Sequence, residues 1–168
     1  EPLMLADLHQ TLGRAYRSTG SFTKAGVQLQ AAADWLQRTL GADDQRSVLA
    51  QYELATVLAR LSRFAEADAL LDRTDAAAGA RRQATSEIAL RAHLARGDVA
   101  YQQMLVKTAL PEYQAAQRLQ ALLHPDDAAM SAHILLGIAG CDLRMGQPQQ
   151  AEAAARRILA GAPYTQER

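Results

Sequence analysis

The residues of this chain with the means to do chemistry are four histidines, one cysteine and two paired carboxylates. The histidines are His9, His93, His124 and His133. His133 has Gly137 at i+4, where a helical metal pair would need a second ligand. His9 and His93 lie 84 residues apart, too distant in a stacked array to share an ion. Cys141 sits at the end of the apolar run Ile134 to Cys141, as expected of a buried, inert thiol. The acid pairs Asp43-Asp44 and Asp126-Asp127 fall in corresponding loops, which suits helix caps better than acid–base catalysis. No G-x-S-x-G elbow occurs, and Gly137-x-x-Gly140 lies inside a helical pattern without a following Lys-Ser/Thr. No catalytic, metal or cofactor site is expected, so function must rest on surface recognition.

Composition fixes the elements that would present such a surface. Among 168 residues there are 36 Ala and 24 Leu but only nine Val and Ile. That balance favours helices, and apolar spacing at i, i+3, i+4, i+7 supports it, as in Leu54, Val57, Leu58, Leu61. Breakers then predict eight helices, over 3–18, 22–40, 46–61, 64–78, 84–105, 109–123, 127–145 and 148–161. Pro111 is placed in a first helical turn, which tolerates its missing N–H. The 18 basic and 18 acidic residues balance, which argues against nucleic acid as a direct partner. No apolar stretch is long enough for a membrane span. The opening Glu1-Pro2-Leu3 and the tail at Pro163-Tyr164 read as the ends of a piece of a longer, cytoplasmic or periplasmic polypeptide.

A shift of 42 residues lays the chain on itself four times. Ala25, Ala67, Ala109 and Ala151 coincide, as do the small residues Gly13, Ala55, Gly97 and Ala139. The turn positions Gly20, Ser62, Met104 and Gly146 fall in phase. The units run over about 3–41, 46–80, 84–124 and 127–163 of a single domain.

The first unit, His9-x2-Leu12-Gly13-x2-Tyr16 then Gly20-x-Phe22-x2-Ala25, resembles the tetratricopeptide pattern with His9 in place of its Trp. The second keeps most of that pattern, and the fourth ends on Pro163. The third departs from it at Arg96 and Met104, leaving its register open. The long period is similar to the kinesin-light-chain variety of the repeat. The resemblance implies an all-α superhelix of about four stacked antiparallel pairs, with first helices lining a concave face. Gly13 and Ala25 would then permit close helix approach, and Phe22 and Phe64 would wedge toward the next unit.

Carried onto this sequence, the family's groove positions include Asp7, Gln10, Arg14 and Arg17 in unit one. Unit two supplies Tyr52, Glu53, Thr56 and Arg60; unit three supplies Arg91, Asp98 and Tyr101; unit four supplies His133 and Arg144. Five arginines against three acids on a neutral chain imply a protein or peptide partner with an acidic segment. The resemblance implies the regulatory or sensor region of a bacterial signalling or transcription-regulatory protein. Two other classes are a homodimerising module built on exposed end helices, and a small-molecule pocket where Tyr52, Arg91 and Tyr101 converge.

Overall fold

A computed structural model describes residues 2–79 and 83–161. Pro163 and the tail at Pro163-Tyr164, like the end of the second unit at residue 80, lie outside the described residues. Among the described residues there are eight helices and no strand: α1 (Pro2–Ser18), α2 (Phe22–Leu40), α3 (Gln45–Arg60), α4 (Phe64–Ala78), α5 (Glu87–Gln102), α6 (Val106–Leu123), α7 (Ala128–Arg144) and α8 (Pro148–Gly161).

The hairpin turns settle the register of the third unit. Gly20, Ser62, Met104 and Gly146, spaced 42 apart, all have positive φ, of 75°, 59°, 65° and 74°. After each, the next residue's N–H reaches back to a carbonyl five residues earlier: Ser21 to Tyr16, Arg63 to Leu58, Leu105 to Ala100, and Gln147 to Asp142, at 2.8–3.0 Å. This is a left-handed helix stop repeated four times. It holds in the third unit although Met104 must take a backbone conformation that glycine adopts at less cost.

That turn corrects two expectations. The first helix of unit three spans Glu87–Gln102 rather than 84–105, with Ser86 Oγ accepting from the Ala89 N–H at 3.1 Å. The next helix starts at Val106 rather than 109, so Pro111 is its sixth residue and sits one turn deeper than expected. Pro111 is exposed there, and the carbonyl it deprives of a bond belongs to exposed Lys107. The acid-pair loops do cap helices. Asp44 accepts from the Arg46 N–H, and Asp127 from the Met130 N–H, each at 2.9 Å.

Within each hairpin the small residues let the helices close. Ala25, Ala67 and Ala109 are fully buried and Ala151 nearly so. A Cβ on Gly13 would lie 2.6 Å from Leu29 Cγ, so α1 and α2 could not approach this closely with any other residue. Hairpins stack by packing α2 on α3, α4 on α5 and α6 on α7, while α3, α5 and α7 also touch in succession. The second helices α2, α4, α6 and α8 make no comparable contact with one another. First helices therefore crowd an inner layer and second helices splay outward, which curves the stack. Phe22 packs on the core and lies under the Arg60 guanidinium of the next hairpin, 5.4 Å from its ring centre, as a wedge between units.

The core is continuous through α5. Its Ile88, Ala92, Ala95 and Val99 pack with units one and two, whereas Ala89, Leu90, Leu94 and Ala100 pack with unit four and α6. Arg96, which stands where the other units have Leu or Ile, is explained by α4. It donates to Asp75, and Asp75 accepts the Tyr52 hydroxyl at 2.5 Å. An ionic bridge across α3, α4 and α5 thus replaces an apolar contact. No described helix is long and apolar enough to cross a membrane.

Candidate functional site

The inner layer forms a curved surface with two adjoining hollows. The smaller, about 120 Å³, is bordered by Arg14, Arg17, Tyr52, Glu53, Thr56, Arg91, Asp98 and His133. The larger, about 450 Å³, is bordered by Arg17, Phe22, Thr56, Arg60, Asp98, Tyr101, Gln102 and His133, among others. Arg17, Thr56, Asp98 and His133 belong to both, so the hollows form one groove crossing α1, α3, α5 and α7.

Tyr113 builds the floor. It comes from outer helix α6 and occupies the place of Leu29 and Leu71 in the repeat, but its longer side chain passes between α5 and α7. Only glycine leaves room for it: a Cβ on Gly97 would lie 3.0 Å from the ring, and one on Gly137 only 2.5 Å. The buried phenol donates to Asp98 Oδ1 at 2.8 Å, and His133 Nε2 meets the same oxygen at 3.0 Å. Burial and the adjacent carboxylate push the Tyr113 hydroxyl far above its ordinary range, which keeps it a donor. The hydrogen bond to Asp98 raises the His133 pKa above its ordinary value, against the opposing effects of burial and of the Arg17 and Arg60 charges.

The other expected groove residues divide by what already holds them. Glu53 accepts from Gln10 at 2.9 Å and from Arg14 at 2.7 Å, tying α1 to α3, and Gln10 borders neither hollow. Arg91 donates to Glu87 at 2.6 Å. Burial pushes the Glu87 carboxyl up, but bonds from His124 and Arg91 outweigh it and hold it below its ordinary value. Arg144 borders neither hollow; it lies 4.0 Å from the Tyr101 ring centre and donates to the Tyr101 carbonyl at 3.0 Å. Asp7 pairs with Arg46 at the groove's end.

Two expectations need correction. Tyr52 is 2% exposed and its hydroxyl is committed to Asp75, so it packs rather than offering a donor to the groove. Tyr52, Arg91 and Tyr101 do not converge, since the first two border the smaller hollow and Tyr101 the larger. The spacing also missed Tyr113, Gly97 and Gly137 as a unit. The signal was present: a Tyr at the repeat position of two leucines, facing two glycines.

The remaining reactive groups are held structurally. His9 donates to Gln28, and His93 to Glu112, each at 2.7 Å and two repeats apart. Burial pushes the Cys141 thiol up to about 11. No group of three potential metal ligands occurs among the described residues.

No protein-family model matches the sequence, and no curated protein matches it either. Among solved structures, 36 chains match. One is the crystal structure of BtubC (BKLC) from P. vanneervenii, with a TM-score of 0.69 at 19% identity over 96% of this chain. The chain has the fold of a kinesin-light-chain-like helical repeat protein. It spans 64% of the length of BtubC.

Proposed function

We propose that the chain is a non-catalytic interaction module whose concave groove takes a peptide or protein segment bearing negative charge. The observation that carries this is the continuity of the two hollows across all four first helices, with Arg17, Thr56, Asp98 and His133 common to both. Such a surface offers polar anchors at intervals along an extended segment, as hot-spot recognition requires. The helical-repeat likeness to BtubC supports an interaction role over catalysis. We place the module in the cytoplasm, as the regulatory or sensor region of a bacterial signalling or transcription-regulatory protein. The 16 Arg against two Lys support a GC-rich, bacterial coding sequence.

Selection from a displayed random-peptide library tests the groove. Selected peptides should be lost on Arg17→Glu with Arg60→Glu and kept on Asp34→Lys in the outer cleft between α2 and α4. Retention on the groove double variant would refute the reading.

Self-association is a second reading, favoured by one observation. Met4, Leu5, Leu8 and Leu12 of α1 are 66%, 44%, 53% and 39% exposed, although Ala50, Ala92 and Ile134 at the repeat positions of Leu8 are buried. Size-exclusion with light scattering at two concentrations, repeated on Leu5→Lys with Leu8→Lys, tests it. A monomer at both concentrations excludes it.

A further inference from the structure

The inner surface carries more positive charge than its own carboxylates neutralise, and the excess borders one hollow. Arg14 is paired with Glu53, Arg91 with Glu87, and Arg144 is bound to a backbone carbonyl. Arg17 and Arg60 have no carboxylate partner among the described residues, and both border the larger hollow beside His133. The carboxylate in that hollow, Asp98, is already engaged: one of its oxygens meets both the Tyr113 hydroxyl and His133. Arg17 comes from α1, Arg60 from α3 and His133 from α7, so the cluster exists only while the units are stacked.

We propose that Arg17, Arg60 and His133 form a pocket for a phosphate monoester carried on the partner segment. The proposal rests on the groove reading and names the chemistry of one subsite within it. A carboxylate brings one charge and two oxygens, which a single guanidinium fork satisfies, leaving the second arginine unmatched. A phosphorylated Ser or Thr brings about −1.5 to −2 and three strong acceptor oxygens, enough for both forks and the imidazole. The hollow of about 450 Å³ admits a group of that size. Protonation sharpens the match. The phosphate's second pKa is about 6, and Asp98 lifts that of His133 despite the opposing Arg17 and Arg60 charges. Between the two, dianion and imidazolium coexist.

Fluorescently labelled pentapeptides of Gly and Ala with a central phosphoserine, aspartate or serine provide the probes, at pH 6.5 and low salt. The phosphoserine peptide should bind at least about tenfold more tightly than the aspartate peptide, and the serine peptide should not bind. Arg17→Gln and Arg60→Gln should each weaken it about tenfold, the scale of one charge-assisted hydrogen bond. Helicity should be unchanged in both, and the melting temperature unchanged in Arg17→Gln and lowered by no more than about 4 °C in Arg60→Gln, which also loses the guanidinium over Phe22. Inorganic phosphate should compete weakly and move the His133 imidazole resonances. Equal binding of aspartate and phosphoserine peptides would overturn the proposal, as would indifference to both substitutions. So would inorganic phosphate binding as tightly as the phosphopeptide, which would mark a pocket for free phosphate compounds. If library-selected peptides still bind while phosphoserine fails, the subsite falls and the groove stands. If neither binds, both fall.

Discussion

Gly137→Ala tests the packing that builds the groove floor. The added methyl would sit 2.5–2.7 Å from three atoms of the Tyr113 ring, about 1 Å inside ordinary contact. The ring cannot step aside. It is 2% exposed, it is bounded on the α5 side by Gly97, and its hydroxyl is tied to Asp98 at 2.8 Å. Overpacking of this kind costs about 1–3 kcal/mol, while the helix gains about 1 kcal/mol from Gly→Ala in its interior. The net expectation is a loss of up to about 2 kcal/mol, or up to roughly 8 °C in melting temperature for a chain of this size. Urea unfolding followed by circular dichroism reads it, in a double-mutant cycle with Tyr113→Leu, which restores the residue found at positions 29 and 71. The methyl fits once the ring is gone, so the cycle should show about 1 kcal/mol or more of favourable coupling. Gly26→Ala is the control, because its Cβ would meet Leu61 at an ordinary 3.5 Å. It should be neutral or stabilising by up to about 1 kcal/mol. A stabilising Gly137→Ala, or additive substitutions, would refute the reasoning.

Met104→Gly should raise the urea midpoint by the equivalent of about 0.5–1 kcal/mol. It relieves a left-handed backbone at a side chain 64% exposed, so little packing is lost. Arg96→Leu should destabilise by about 1–3 kcal/mol despite matching the other repeats, since it removes a guanidinium bonded to a largely buried Asp75. Adding Asp75→Leu should recover part of that loss in the same unfolding assay. His133, with its native pKa raised, contributes stability that is fully present below the unfolded value of about 6.5 and lost as pH rises through the native one. An NMR titration should place its midpoint above about 6.5 in the parent and below it in Asp98→Asn, where burial and the two arginines act unopposed. An unchanged midpoint would contradict the assignment.

The fold was legible because a repeat says the same thing four times. Ala25 and its equivalents, Gly13, and the breakers at 20, 62 and 146 each mark a contact that any stacked hairpin needs. The third unit misled where its chemistry replaced the usual one. Arg96 removed the apolar marker because Asp75 holds it, and Met104 removed the glycine that signals a helix stop. Without that stop, the helix starting at Val106 was read three residues late. The groove's membership was visible from repeat position, since helical spacing dictates which side chains share a face. Which of them are available was not. That depends on partners such as Glu53, Glu87 and Asp75, which lie 4–39 residues from the arginine or tyrosine they engage. Tyr113 stayed hidden because its role crosses from an outer helix to the inner surface, a direction no single-helix pattern encodes.

A peptide selected against the parent protein, titrated into isotope-labelled chain and followed by amide NMR, addresses the concave-face claim directly. Perturbations should cluster at Arg17, Thr56, Arg60, Asp98, Tyr101 and His133, with Gln30, Asp34 and Arg73 of the outer cleft unmoved. Shifts confined to that outer cleft would contradict it.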